Sequence, residues 1–136
     1  MSAIPEFEQA FSLGLPAMDA THQEFVDQVN RLAVADNSEF AELYRRFFEH
    51  TKAHFAAEEA VMIDSGFPAT GEHRAEHARV LGEMDRFVDR LQGIGLRMAR
   101  AYVTEQLPSW FKLHLITMDS ALVAHLANRR DKVSGL

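Results

Sequence analysis

The 136-residue sequence contains no cysteine. Disulfide bonds, thiolate metal sites and cysteine nucleophiles are therefore excluded. The sequence also lacks the run of about 18 apolar residues that a membrane-spanning helix needs. With a net charge of −6 and no basic patch, it does not suit nucleic acid or an anionic membrane as a partner. No basic segment followed by an apolar one marks export at the N-terminus, so we expect a cytoplasmic protein.

Strand-like alternation of polar and apolar residues is absent too, and helical spacing takes its place. Apolar residues recur at steps of three and four, which is typical of helices that pack in a bundle. Four such segments run over about 17–35, 38–65, 70–92 and 96–130, after an arm over about 1–16 that Phe7 and Phe11 should anchor. The sequence predicts one all-α domain over 1–136, an antiparallel up-down-up-down four-helix bundle.

The fourth segment departs from regular helical spacing at two places. Pro108 lies inside it, which predicts a kink or a broken first half. Between His114 and Asp119 the apolar stripe contains one extra residue. We therefore expect either a π-type bulge there or a break and restart of the helix.

Polar residues occupy positions of the stripes where a bundle core wants Leu or Val. Burying so many polar groups without strong partners would cost several kcal/mol each, against a net stability of about 5–15 kcal/mol for a whole domain. At about 1.5 Å per residue, these positions fall in one layer near one end of the bundle. The pattern predicts a metal site built from His22, His54, Glu58, His73, His77, His114 and Asp119.

The number of candidate ligands indicates how many ions the site takes. Seven is too many for one tetrahedral zinc and one too many for a single six-coordinate ion. Two octahedral ions that share both carboxylates as bridges would use all seven ligands, together with a bridging hydroxide. One coordination place would then remain open.

On these residues the chain resembles the hemerythrins, most closely the single-domain bacterial ones (bacteriohemerythrins). The likeness covers nearly the whole chain. It rests on a histidine in the first helix followed by the motifs H-x-x-x-E, H-x-x-x-H and H-x-x-x-x-D, which begin at His54, His73 and His114. The sequence departs from the family at Phe7, where a tryptophan is usual, and Pro108 could alter the approach to His114.

The resemblance implies a non-haem di-iron centre that cycles between Fe²⁺ and Fe³⁺ with a bridging hydroxide or oxide. It assigns His73, His77 and His114 to a six-coordinate iron and His22 and His54 to a five-coordinate one, with both carboxylates as bridges. O₂ would be held end-on at the open iron as a hydroperoxide. The implied function is reversible O₂ binding for transport, storage or delivery to an O₂-consuming enzyme, without catalysis.

Aromatic residues near the expected ligands are candidates for the wall of an O₂ pocket. They would keep the pocket dry, which slows loss of bound O₂ and oxidation of the metal. Each could equally be plain bundle core. The four are Phe25, Phe55, Trp110 and Phe111, of which Phe111 is expected to face the O₂ site.

Parts of the sequence can also be compared with other metal-dependent functions. His73 to His77 also reads H-x-x-E-H, the inverted motif of zinc peptidases, with Glu76 as the base. A ferritin-like ferroxidase would need Glu-x-x-His twice, and the sequence has none. The same di-iron site could serve O₂ or redox sensing, or peroxide or nitric oxide reduction. His50 could lie behind the ligands, and His125 should lie at the surface.

Overall fold

A computed structural model of the chain describes residue 13 and residues 15–134, the side chains of residues 130–134 excepted. The expected anchors Phe7 and Phe11 lie outside the described residues. Three regular helices are followed by a long, interrupted C-terminal helix. The elements are α1 (Pro16–Val34), α2 (Asn37–Ser65), α3 (Thr70–Asp85), α4 (Gly93–Ala101), π1 (Tyr102–Gln106), α5 (Leu107–His114), π2 (Leu115–Asp119) and α6 (Ser120–Ser134).

The predicted all-α bundle is confirmed. Helix α2 is central, because it packs against α1, α3, α4 and α6, and α1 packs against π1. Among the described residues, no helix combines the length and the apolar character that crossing a membrane requires.

Helix ends follow local capping chemistry. Asp36 caps α2, since its carboxylate accepts a hydrogen bond from the backbone N–H of Glu39 at 3.1 Å. At the other end Gly66 adopts a left-handed φ of 67°, and the next amide, that of Phe67, donates to the carbonyl of Met62 at 3.0 Å. Helix α2 is therefore capped at both ends, which stabilises the helix that carries the candidate ligands His54 and Glu58.

Helix α3 is shorter than the sequence indicated, because it ends at Asp85 rather than near residue 92. The buried hydroxyl of Tyr44 donates to the carbonyl of Met84 at 2.7 Å, and the amide of Phe87 donates to the same carbonyl in a tighter turn. Leu91 is nevertheless buried. The apolar stripe thus continues through a turn, and burial alone could not locate the end of the helix.

The C-terminal helix contains two π-helical turns. In π2 the amide of Ser120 donates to the carbonyl of Leu115, five residues earlier, so the extra residue between His114 and Asp119 is accommodated as a π bulge, as expected. In π1 the amide of Leu107 donates to the carbonyl of Tyr102. This second turn ends two residues before Pro108, and the helix continues through the proline, so the C-terminal helix is bulged before the proline rather than broken at it.

Apolar packing lies on both sides of the polar layer. A large cluster fills one side and includes Phe25, Phe47, Phe55 and Phe111. A smaller one, made of Met62, Phe67 and Leu122, closes the other. The candidate ligands therefore lie between two dry regions near one end of the bundle.

Candidate metal centre

All four helices of the bundle present candidate ligands to the same region. Helix α1 supplies His22, α2 supplies His54 and Glu58, α3 supplies His73 and His77, and the C-terminal helix supplies His114 and Asp119. Five of the seven are buried, at 5% exposure or less, and only His54 and Glu58 keep partial access to solvent. Burial to this degree is rare for such side chains unless they have strong partners or bind a metal.

Three imidazoles and one carboxylate form the first group of possible ligands. Nε2 of His73 lies 2.7 Å from Oε1 of Glu58 and 3.2 Å from Nε2 of His114. Nε2 of His77 lies 3.5 Å from the same Glu58 oxygen. One nitrogen or oxygen from each of these four residues lies within 4.8 Å of all the others, so one ion could contact all four.

The second group consists of His22, Glu58 and Asp119, within the same 4.8 Å limit. Glu58 therefore belongs to both groups. Asp119 also reaches both, because its Oδ2 lies 3.1 Å from Nε2 of His22 while its Oδ1 lies 3.1 Å from His73 and 3.2 Å from His114. The two carboxylates lie between the two groups, where bridging ligands of a two-ion site would lie.

His54 is the one candidate ligand that the structure does not bring into either group. Its Nε2 lies 3.1 Å from a carboxylate oxygen of Glu24 on α1. His54 nevertheless lines the same cavity as His22, Glu58 and Asp119. The difference concerns the direction of one side chain, since α2 does place His54 beside the site.

Electrostatics keep the buried carboxylate of Asp119 ionised. Burial raises its pKa, but the adjacent imidazoles of His114, His22 and His73 outweigh burial and hold the pKa well below 3.8. For His73 burial lowers the pKa, whereas Asp119 and Glu58 raise it to about 9. His54 differs, because burial and the neighbouring His50 lower its pKa more than Glu24 raises it.

The donor set fits transition-metal ions. Oε1 of Glu58, Nε2 of His77 and Oδ1 of Asp119 are buried atoms that make no well-formed hydrogen bond within the protein, although each faces other members of the cluster. Buried polar atoms without hydrogen bonds are uncommon and call for a ligand or ion. Imidazole nitrogens with two carboxylates are a set that iron and its neighbours in the periodic table accept.

Outer contacts orient the ligands, and sequence reasoning missed one of them. Nδ1 of His77 lies 3.0 Å from Oε2 of Glu59, so the carboxylate can hold the ring with Nε2 turned inward. Glu59 falls outside the apolar stripe, and spacing therefore gave no reason to select it. The one signal in the sequence was that Glu59 directly follows the candidate ligand Glu58.

The four predicted aromatic residues do surround the site. Phe55 stacks on His77 at a centroid distance of 3.9 Å, and Trp110 stacks on His114 at 4.7 Å. With Phe25 and Phe111 they line a cavity of about 20 Å³. That volume admits one very small molecule.

Three polar residues outside the predicted ligand set also have partners. The carboxylate of Glu76 accepts hydrogen bonds from Nε1 of Trp110 at 2.8 Å and from Arg79, so it is engaged rather than available as a base. His50 packs edge-on against His54. His125 is half-buried rather than fully at the surface, and its Nε2 lies 2.9 Å from the carbonyl of Ser65.

Comparison with known proteins agrees with this geometry. Residues 13–130 match the family model described as the hemerythrin HHE cation binding domain. A bacteriohemerythrin of Ralstonia nicotianae is 36% identical over 124 residues, which are 91% of this chain and 90% of the relative. One of Pseudomonas aeruginosa is 24% identical over 90 residues, 63% of this chain and 59% of the relative.

The fold is that of solved hemerythrins. A crystal structure of a hemerythrin mutant superposes with a TM-score of 0.78 at 21% identity, covering 93% of this chain and 98% of that one. Hemerythrins are O₂-binding di-iron proteins that act as carriers rather than enzymes. With the family model spanning most of the chain, this protein belongs to the hemerythrin family.

Proposed function

We propose that this protein binds O₂ reversibly at a di-iron centre and so carries, stores or delivers it. The observation that supports this best is the position of Asp119, whose Oδ2 faces His22 while its Oδ1 faces His73 and His114. A single-ion site has no need of such a carboxylate. The proposed ligands are His22, His54, Glu58, His73, His77, His114 and Asp119.

Iron, when bound, would supply the electrons that O₂ takes up on binding. The protein supplies an uneven set of ligands. Three imidazoles lie together with Glu58 in the first group, whereas His22 is the only imidazole that already faces the second. The less crowded side of the site is thus the one beside His22, and we expect O₂ to bind there.

The ligand types favour holding O₂ over splitting it. Five neutral imidazoles against two carboxylates stabilise high-valent iron less well than a carboxylate-rich site does. The aromatic wall adds to this, since Phe111 packs edge-on against His22 and stacks on Phe25 at 4.6 Å. Apolar rings beside His22 reduce the room for water there, and less water would slow the oxidation that ends reversible binding.

The test begins with metal analysis, which should give two irons per chain. The anaerobic reduced protein is then exposed to O₂ and followed by absorption spectroscopy. We expect an absorption band at about 500 nm from charge transfer between bound O₂ and iron. The band should disappear when O₂ is removed. One zinc per chain would refute the proposal.

The same experiment separates carriage from the other uses of such a site. Rapid irreversible oxidation with turnover of added peroxide or nitric oxide would favour reduction over carriage. A reversible band without turnover would leave carriage, storage or sensing of O₂, and delivery to an O₂-consuming enzyme would then be tested with that enzyme.

A further inference from the structure

We propose that Glu24, His50 and His54 form an outer metal site, which captures a divalent transition-metal ion at the surface before the ion enters the inner centre. The capture step rests on the proposed di-iron function. The outer site itself does not, because it is defined by three side chains that lie outside the two inner groups.

The three side chains converge from two helices. His50 and His54 lie four residues apart on α2, hence on one face and one turn apart. Their rings pack at a centroid distance of 5.3 Å, and Nε2 of His54 lies 3.1 Å from Oε2 of Glu24 on α1. One nitrogen or oxygen of each lies within 4.8 Å of the others.

This donor set is one that divalent ions of the first transition row bind. Two histidines at i and i+4 on a helix already form a chelating pair, as in helical zinc motifs. A carboxylate completes a two-histidine, one-carboxylate set, which suits zinc and non-haem Fe²⁺. A simple surface ion pair would explain Glu24 with His54, but it would leave the second imidazole, that of His50, without a role.

His54 connects the outer site to the inner one. Its Nε2 lies within hydrogen-bond distance of Glu24 on the outer side, yet the residue also lines the cavity that Glu58 and Asp119 line. The Nε2 atom of His54 can bind only one ion at a time. An ion that is held outside must therefore be released or carried inward when His54 turns to complete the inner centre.

Exposure suits the two sites to different roles. The Glu24 side chain is 59% exposed and that of His54 is 20% exposed, whereas His73 and His77 are each 1% exposed. A hydrated ion can reach the outer ligands directly, but it must lose its water to reach the inner ones. The outer site would exchange some of that water for protein ligands first.

A binding experiment tests the outer site by itself. In a background carrying His22→Gln, His73→Gln, His77→Gln and Asp119→Asn, which disrupts both inner groups, Co²⁺ is titrated and followed by its visible absorption, with circular dichroism as the check on folding. Adding Glu24→Gln or His50→Gln should weaken Co²⁺ binding about tenfold. Glu42→Gln is the matched control, because Glu42 lies at the surface of the same helix α2, where it pairs with Arg46.

A kinetic experiment on the full wild-type site tests capture. Iron-free protein receives limiting Fe²⁺ without oxygen, and iron per chain is measured after rapid desalting at successive times. Glu24→Gln and His50→Gln should slow uptake about tenfold and still reach two irons per chain. Glu42→Gln and His125→Gln should load at the wild-type rate.

The outcomes are distinct. Unchanged uptake rates in both Glu24→Gln and His50→Gln would overturn capture, and unchanged Co²⁺ affinity would overturn the outer site. A final count below two irons in His50→Gln would also overturn the proposal, since His50 would then belong to the finished centre. If the wild type takes up no iron at all, the di-iron function fails while the Co²⁺ titration still decides the outer site. If the background variant does not fold, the uptake rates decide alone.

Discussion

Replacing Glu59 by glutamine should loosen iron without removing any ligand. Oε2 of Glu59 lies 3.0 Å from Nδ1 of His77, and the Glu59 side chain is only 23% exposed. The carboxylate fixes the proton on Nδ1, which leaves Nε2 free to bind metal, and it makes the imidazole a stronger donor. Glutamine keeps the size and one acceptor oxygen but loses the charge.

The size of the effect follows from the role of the contact. Removing a carboxylate that supports a ligating histidine costs about 10- to 100-fold in metal affinity, or about 1.4–2.7 kcal/mol. Arg74, which also approaches Glu59 at 3.3 Å, is 56% exposed and should contribute little to this difference. We therefore expect about tenfold for Glu59→Gln and more for Glu59→Ala.

The assay is anaerobic competition for Fe²⁺ with a coloured chelator, read at equilibrium. Glu42→Gln, another glutamate of α2 whose side chain is 72% exposed, is the control for charge loss. Arg74→Gln tests the outer end of the same chain of contacts and should behave like the wild type. If Glu59→Gln releases iron at the same chelator concentration as the wild type, the carboxylate does not set the state of His77 and the reasoning is wrong.

Three further predictions concern single side chains. Glu58→Ala should lose both irons, because this carboxylate belongs to both ligand groups, and metal analysis checks it. Tyr44→Phe should lower the free energy of unfolding by about 1 kcal/mol, since it removes a buried hydrogen bond to the carbonyl of Met84; urea unfolding of the iron-free chain measures the change. The pKa of Glu76 is lowered from 4.5 to about 2 by Arg79 first and also by Trp110. The ionised Glu76 therefore stabilises the fold fully above pH 4.5, and this stabilisation is lost as the pH falls through about 2. The difference in free energy of unfolding between the iron-free wild type and iron-free Glu76→Gln should stay constant from pH 6 to 8 and shrink as the pH falls from 4.5 to about 2. Urea unfolding at each pH measures this difference.

The apolar stripes predicted much of the fold, because helical spacing directly reflects which face is buried. The same stripes could not locate the end of α3, since Leu91 is buried in a turn as fully as it would be in a helix. They also missed π1. Leu107 and Val103 are four residues apart and both buried, so nothing in their spacing signalled a π turn between them.

Spacing also placed the candidate ligands on the inner faces of their helices, and six of them do come together. The direction of the His54 ring could not be inferred, because it depends on a side-chain rotation and on Glu24 of another helix. Glu24 and Glu59 were missed for the same reason. Each lies at the edge of a helix face, where a carboxylate is ordinary and only the three-dimensional contact reveals its role.

The π turn at Leu115–Asp119 determines which side chains of the following helix, α6, face the interior of the bundle. Each helical residue advances the chain by about 100°, so one surplus residue turns α6 by about that angle relative to α5. With this turn Asp119 faces the imidazoles and, three residues later, Leu122 is fully buried against the smaller apolar cluster. Deleting one residue from the π turn would rotate both side chains away together, which makes the length of this segment a shared determinant of metal binding and of the hydrophobic seal beyond it.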